Sequence, residues 1–285
     1  MPKQFLIMPN HSQSSDTKKS GPTQDYLWQH LFELPYFRAL LRAVEARFYH
    51  DIDLPAPVLD VGCGDGHFAS VAFDHQLDVG LDPWSDPIRE AAQRGGYHSL
   101  IQAEGGRIPF PDCYFGSAIS NSVLEHIHGI EDVLKEVGRV LKPGAPFVFS
   151  VPNHNFNSNL SFSQTFNKMG LSALSDAYRR FFDRIARHHN LDPPEVWQTR
   201  LDKAGFSIEK WWHYYSPDAM RVTEWGHYFG LPSLVSRKIT GKWILVPQKW
   251  NLALPYYITN KHFEEIPIRD DGVCTFYIAR RERLK

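Results

Sequence analysis

Cysteine is scarce in this chain. Cys63, Cys113 and Cys274 are the only three in 285 residues, too far apart for a disulfide framework or a zinc-type spacing. That predicts a reducing, cytoplasmic setting and no metal. An excess of either charge is missing too. With 31 lysines and arginines against 32 aspartates and glutamates, the long-range pull toward nucleic acid is absent, and no nucleic-acid partner is expected. Long apolar runs are also lacking. The FLIM stretch, Phe5 to Met8, is too short for a signal-peptide core and no other run could span a bilayer, so any membrane contact would be peripheral. Residues 9–25 carry no apolar period, and residues 1–25 read as a flexible tail.

What the chain has instead is alternation. Phe37, Leu40, Leu41, Val44 and Phe48 fall at helical spacing and predict an amphipathic N-terminal helix lying on the main domain as a lid. From Val58 the rhythm runs strand 58–61, helix 68–75, strand 78–82, helix 87–93, a short strand near Leu100, strand 115–120, helix 130–141 and the strand PFVFSVP. Strands alternating with helices predict an α/β domain built on a doubly wound, mostly parallel sheet. The rhythm breaks over 153–195 and again over 217–271. Between the breaks, 196–206 reads as a helix and SIEKWWHYYS as a strand, and GVCTFYIARR closes the chain as a last strand. The expected organisation is a core over 26–152, an insertion over 153–195, a core helix and strand over 196–216, an aromatic-rich insertion over 217–271, and a final core strand over 272–285. The two insertions would form a lid and substrate lobe.

The stretch VLDVGCGDGHFA, Val58 to Ala69, runs an apolar strand into three alternating glycines. In an open parallel sheet the first strand-to-helix turn sits where ligands bind, so Gly62, Gly64 and Gly66 are expected to face one. Asp82 ends the second strand, where a carboxylate can accept hydrogen bonds from both hydroxyls of a ribose. Dinucleotide sites share these features, but their third glycine falls where this chain has His67. Asp60, two residues before the first glycine, would be useless to a pyrophosphate and useful to the ammonium of a methionyl tail.

VLDVGCGDGHFA, VGLDP, AEGGRIPFPDCYF, NSVLEHI and EVGRVLKPGAPFVFSVPN, spread over Val58 to Asn153, resemble the class I S-adenosylmethionine-dependent methyltransferases, specifically the type 11 group. The resemblance implies a seven-stranded Rossmann-like sheet closed by a hairpin that inserts one antiparallel strand, with S-adenosyl-L-methionine as cofactor. It implies that Asp60, Gly62 and Gly64 line the methionyl part, Asp82 the ribose, Glu104 and Gly105 the adenine edge, and Asn121 with Ser122 the floor beneath the sulfonium. Glu104 stands where the group usually has Asp, Gly116 replaces another Asp, and Ala145 a glycine.

Methyl transfer from a sulfonium needs alignment and exclusion of water more than an oxyanion hole. A general base is required only if the acceptor must lose a proton; His126 and His154, at strand tips, are the candidates. The tetrapeptide DPPE at 192–195 lacks the aromatic residue of amino-methylating nucleic-acid enzymes and precedes a helix, where proline at the first turn is ordinary. Aromatic residues between Trp211 and Tyr257, mixed with Lys and Arg, suit an apolar acceptor pocket, a membrane-facing surface or the small lobe's own core. The expected acceptor is small or amphiphilic: quinone-like, lipid-linked or a secondary metabolite. A nucleotide-cofactor (NAD-type) oxidoreductase and a non-catalytic S-adenosylmethionine-binding scaffold stay open as alternatives, and oligomeric state is not legible.

Overall fold

Strands that are apolar on both faces demand helices on both sides, and the computed structural model, which describes residues 25–283, supplies them. The strands are β1 (Val58–Val61), β2 (Leu77–Asp82), β3 (Tyr97–Gln102), β4 (Ser117–Asn121), β5 (Pro146–Pro152), β6 (Phe206–Tyr214) and β7 (Cys274–Arg281). They form one seven-stranded sheet in the order β3-β2-β1-β4-β5-β7-β6. The first four pairings are parallel, and β7 pairs antiparallel with both β5 and β6. This is the expected Rossmann-like sheet with its closing hairpin. Strand order reverses between β1 and β4, which puts the glycine turn at the switch point.

The helices are α1 (Tyr26–Leu31), α2 (Tyr36–Tyr49), α3 (His67–Ala72), α4 (Ser85–Arg94), α5 (Ile130–Val140), α6 (Ser161–Lys168), α7 (Ser172–Ala186), α8 (Pro194–Lys203), α9 (Pro217–Phe229), α10 (Leu231–Thr240) and α11 (Ala253–Phe263). On one face of the sheet, Val133, Leu134 and Val137 of α5 and Trp197 and Leu201 of α8 are buried with Leu59, Phe147 and Phe149. Each of these aliphatic side chains contributes at most about 1.5–3 kcal/mol. On the other face, Leu40, Val44 and Tyr49 of α2 join Val58, Ile119, Val148 and Phe276. The N-terminal helix, expected as a lid, is a layer of the core: its buried stripe packs with residues of the sheet.

Several boundaries depart from the sequence reading for local reasons. The polar tail lies outside the described residues apart from Asp25, which instead caps α1 by accepting the Trp28 N–H at 3.3 Å. Helix α3 stops at Ala72, since Phe73 is already extended. Strand β4 starts at Ser117, because Phe115 makes only an isolated bridge to Leu141. Helix α8 starts at Pro194 and ends before the left-handed Gly205. The last strand ends at Arg281.

The two insertions meet each other. Buried Glu224 of α9 accepts from the Ser161 N–H at 2.6 Å at the start of α6 and from the Tyr178 hydroxyl of α7 at 2.7 Å. Gly226 and Gly230 leave room for the Phe37 ring of α2, with which a Cβ at either would overlap. Among the described residues no helix is long and apolar enough to cross a membrane.

Gly116 has a steric reason for standing where the resembled group carries Asp. A Cβ there would lie 2.5 Å from the carbonyl oxygens of both Pro55 and Ala56. Gly116→Ala should therefore cost about 1–3 kcal/mol. Urea unfolding with an unchanged midpoint would contradict the packing argument.

Candidate active site

The glycine turn is shaped by backbone bonds. After β1, the N–H groups of Gly62 and Cys63 donate to Leu81 O at 2.8 and 3.0 Å, which turns the chain over the tip of β2. All three loop glycines have positive φ, yet what approaches them differs. A Cβ on Gly62 would overlap Val123, and one on Gly66 would lie 3.1 Å from Ala91 of α4. Those two glycines make room for the protein's own atoms. Gly64 alone has nothing within 4 Å of where a Cβ would stand. Of the three expected to face a ligand, Gly62 and Gly64 both line the cavity over the turn, Gly62 while also making room for Val123, whereas Gly66 permits close packing on α4.

The carboxylates beneath the turn have separate tasks. Asp82 Oδ2 accepts from Gly64 N at 3.0 Å and its Oδ1 from Trp84 N at 2.9 Å, so this residue ties the glycine turn to the tip of β2. Burial raises its pKa against those two N–H bonds. Asp60 is buried and accepts from the Tyr97 hydroxyl at 2.6 Å. Burial pushes Asp60 up to about 7, with the Tyr97 bond opposing and Asp82 adding to the rise. His67, on the site of the missing third glycine, is buried; its Nε2 lies 3.0 Å from His30 Nδ1, joining α1 to α3. Burial also raises the Cys63 thiol, which suits a loop filler and not a nucleophile.

Asn121 and Ser122 follow β4 and converge on a residue the sequence reading did not single out. Glu45 of α2 is fully buried. Its Oε2 accepts from Asn121 Nδ2 at 2.6 Å and Arg42 Nη1 at 3.0 Å, and its Oε1 from Ser122 Oγ at 2.6 Å and the Tyr214 hydroxyl at 2.7 Å. Ser150 Oγ lies 3.0 Å from Asn121 Oδ1, completing the network. Arg42 also donates to Asn121 O at 3.1 Å. Burial would lower the Arg42 pKa, but the carboxylates of Glu45 and Glu125 hold it above the usual value.

A cavity of about 300 Å³ opens over the turn. Asp60, Gly64 and Asn121 form its core side, Arg38 and Arg42 of α2 its flank, and Arg237 with Trp243 from the second insertion its roof. Arg38 and Arg237 both lie over the Trp243 ring, at 5.4 and 5.9 Å from its centroid. Not every expected residue gathers there. Glu104 is exposed, and a Cβ on Gly105 would lie 3.2 Å from Val133; neither lines this cavity. His126 binds Arg187 O through Nδ1 at 3.0 Å, and His154 is exposed beside His213; neither lines the cavity. A larger open cleft of about 960 Å³, flanked by Gly144, Gly205 and Arg280–Arg283, lies at the other end of the strands, away from the switch point.

Arg38, Arg42, Glu45, Tyr97, Tyr214 and Glu125 belong to the site region and were missed. The first three recur at spacings of four and three along α2, which in sequence reads as a solvated face. Glu125 is buried, and its Oε2 has no hydrogen-bond partner among the described residues. Burial pushes it up to about 8.

Comparison with known proteins gives these residues a context. A family described as a methyltransferase domain matches residues 28–210. The chain is 38% identical over 99 residues to a fatty-acid O-methyltransferase of Mycolicibacterium smegmatis, covering 33% of this chain and 36% of that protein. It is 30% identical over 162 residues to a ubiquinone/menaquinone biosynthesis C-methyltransferase of Vibrio cholerae, covering 54% and 60%. A solved SAM-dependent methyltransferase from Archaeoglobus fulgidus shares the fold with a TM-score of 0.50 at 16% identity, covering 85% of this chain and 94% of that one. The chain spans between about a third and three fifths of the length of these curated relatives.

The network and the buried acid make separate predictions. Glu45→Ala strands Arg42 and leaves buried donors unpaired, and should cost about 3–5 kcal/mol in urea unfolding; a loss below about 1 kcal/mol would remove Glu45 from its central place. Glu125 holds its proton up to about 8 when folded, against an ordinary 4.5. Its contribution is complete below about pH 4.5 and is lost as pH rises toward 8, with Asp60 adding a slope of the same sign up to about 7. Melting temperatures taken from pH 5 to 8.5 should fall less steeply in Glu125→Gln than in the wild type, and parallel curves would refute the assignment.

Proposed function

The chain belongs to the class I S-adenosylmethionine-dependent methyltransferases, and from that premise we propose that it transfers the cofactor's methyl group to a small or amphiphilic acceptor. One observation carries this reading: the cavity at the switch point is lined by the buried acid Asp60 and by the cations Arg38 and Arg42. A methionyl tail is a zwitterion. Asp60 would receive its ammonium and Arg38, which makes no salt bridge among the described residues, its carboxylate. Gly64 would leave room for the chain of the ligand, with Gly62 and Gly66 shaping the turn. Asp82 would take the ribose hydroxyls, Glu104 and Gly105 the adenine edge, and Asn121 with Ser122 the floor.

When bound, the cofactor supplies an electrophilic methyl group on a sulfonium. The protein's part is to hold that group in line with the acceptor and keep water away. Neither His126 nor His154 borders the cavity, which favours a transfer that uses neither as a base. An amphiphilic acceptor is supported by the relatives, one named for fatty acids and the other for quinone biosynthesis. It is also supported by Leu34, Phe68 and Trp243 in the cavity lining. The oxidoreductase alternative is disfavoured at His67, which stands where a dinucleotide loop carries its third glycine and is buried against His30.

Ammonium binding requires ionised Asp60, which is protonated below about 7 in the free protein. Affinity for S-adenosylhomocysteine should fall about tenfold per pH unit below that point, and Asp60→Asn should abolish the dependence. Calorimetry showing the same pH profile in both proteins would displace Asp60 from the ligand. Incubating a cell extract with methyl-labelled cofactor and the protein tests the reaction itself. Label is expected in a lipid or quinone fraction; tight cofactor binding with no labelled product would favour a non-catalytic scaffold.

A further inference from the structure

We propose that α10 and the segment after it, residues 229–257, form a docking surface for an anionic lipid membrane beside the cavity mouth. The inference goes beyond methyl transfer, because docking can be measured without turnover.

The first ground is an apolar face with nothing on it. No residue of α10 is buried. Leu231, Val235 and Ile239 recur at four-residue spacing on one side of the helix and are 57%, 54% and 78% exposed. The segment beyond carries further exposed apolar side chains, Leu245, Trp250 at 75% exposure and Tyr257 at 79%. Isolated exposed apolar residues are ordinary, but an apolar stripe along one face of a helix marks a contact surface.

Charge selects the occupant. From residue 225 to residue 263 the chain contains no aspartate or glutamate, although the whole sequence carries slightly more acidic than basic residues. The same segment holds Arg237, Lys238, Lys242, Lys249 and Lys261. Lys238 falls on the same side of α10 as the apolar stripe and is exposed, as is Lys242 just past the helix. Lysines among exposed aliphatic and aromatic side chains, without acids, match the boundary of an anionic bilayer, where stems lie in the acyl region and ammonium groups meet phosphate. A second copy of the chain would bring the same cations face to face. Arg237, on the other side of α10, turns inward to Glu90 at 2.6 Å and borders the cavity. The helix that would rest on lipid is thus also a wall of the site, which places an amphiphilic acceptor within reach.

The test is flotation of the full chain with vesicles of phosphatidylcholine alone or with about one-third phosphatidylglycerol. The expected result is binding to the anionic vesicles, weakened by salt, with Trp250 fluorescence quenched by brominated acyl chains and that quenching diminished in Trp250→Phe. Val235→Asp combined with Ile239→Asp should abolish flotation, and Lys238→Ala should weaken it about fivefold. All three positions are exposed, so S-adenosylhomocysteine affinity, measured by calorimetry, should stay at the wild-type value in each variant. Absence of flotation, or equal flotation of wild type and the double variant, would overturn the proposal. So would a wild-type dimer that the double variant converts to monomer while neither binds vesicles. None of these results would alter the cofactor assignment, which fails only on the calorimetric arm.

Discussion

One buried carboxylate organises the molecule. Glu45 lies within α2 with no exposure to solvent, and an unpaired charge in that position would cost several kcal/mol. Its donors come from its own helix and from the ends of β4 and β6, and Ser150 of β5, its Oγ 3.3 Å from Glu45 Oε1, closes the ring. The need to satisfy one acid therefore fixes the N-terminal helix against the carboxyl ends of three strands. Ser122 shows the local consequence. It adopts a positive φ of 49°, a conformation unusual for serine, and its hydroxyl reaches Glu45 Oε1 from there.

That constraint also sets the electrostatics of the cavity. Arg42 is held in place by Glu45 and by Asn121 O, so its charge is largely committed to the protein. Arg38, one turn earlier, lies over the face of Trp243 and makes no salt bridge among the described residues. The helix presents two arginines at the same wall, one committed to Glu45 and Asn121 O and one without a salt bridge among the described residues. Asp60 is the counterpart across the cavity. Tyr97, its hydroxyl partner, orients the carboxyl without supplying charge, so an ammonium arriving there would find an acid whose neutrality is easily reversed.

Legibility in the sequence followed the range of the interaction. The strand-helix rhythm, the sheet class and the turn after β1 were readable because periodicity and glycine spacing are local. The meaning of Gly62 and Gly66 was not, because the atoms that crowd them belong to Val123 and Ala91, remote in sequence. Glu45 was hidden more deeply. Its donors at positions 121, 122 and 214 are distant in the chain, and in an amphipathic helix a Glu three residues after an Arg reads as a surface ion pair. The aromatic-rich C-terminal part divides: Tyr214 and Tyr215 are core, Trp212 packs on Phe276, and Trp225, Phe229 and Trp250 are exposed. Composition alone could not separate those sets, since the same residue types serve both.

The cavity has a floor and a roof of unequal firmness. Its floor is tied by buried hydrogen bonds to Glu45, each strengthened by charge and shielded from water. Its roof rests on Arg237, whose pairing with Glu90 is partly exposed on both sides, and on the Trp243 ring between two arginines. A partly exposed ion pair contributes about 0–1 kcal/mol, so displacing the roof costs far less than disturbing the floor. The roof comes from the second insertion, outside the sheet, while the turn and floor come from the sheet itself. A protein that must bind one cofactor and admit an acceptor beside it needs this division: rigidity where the ligand is constant, and a weakly held wall where the second molecule enters.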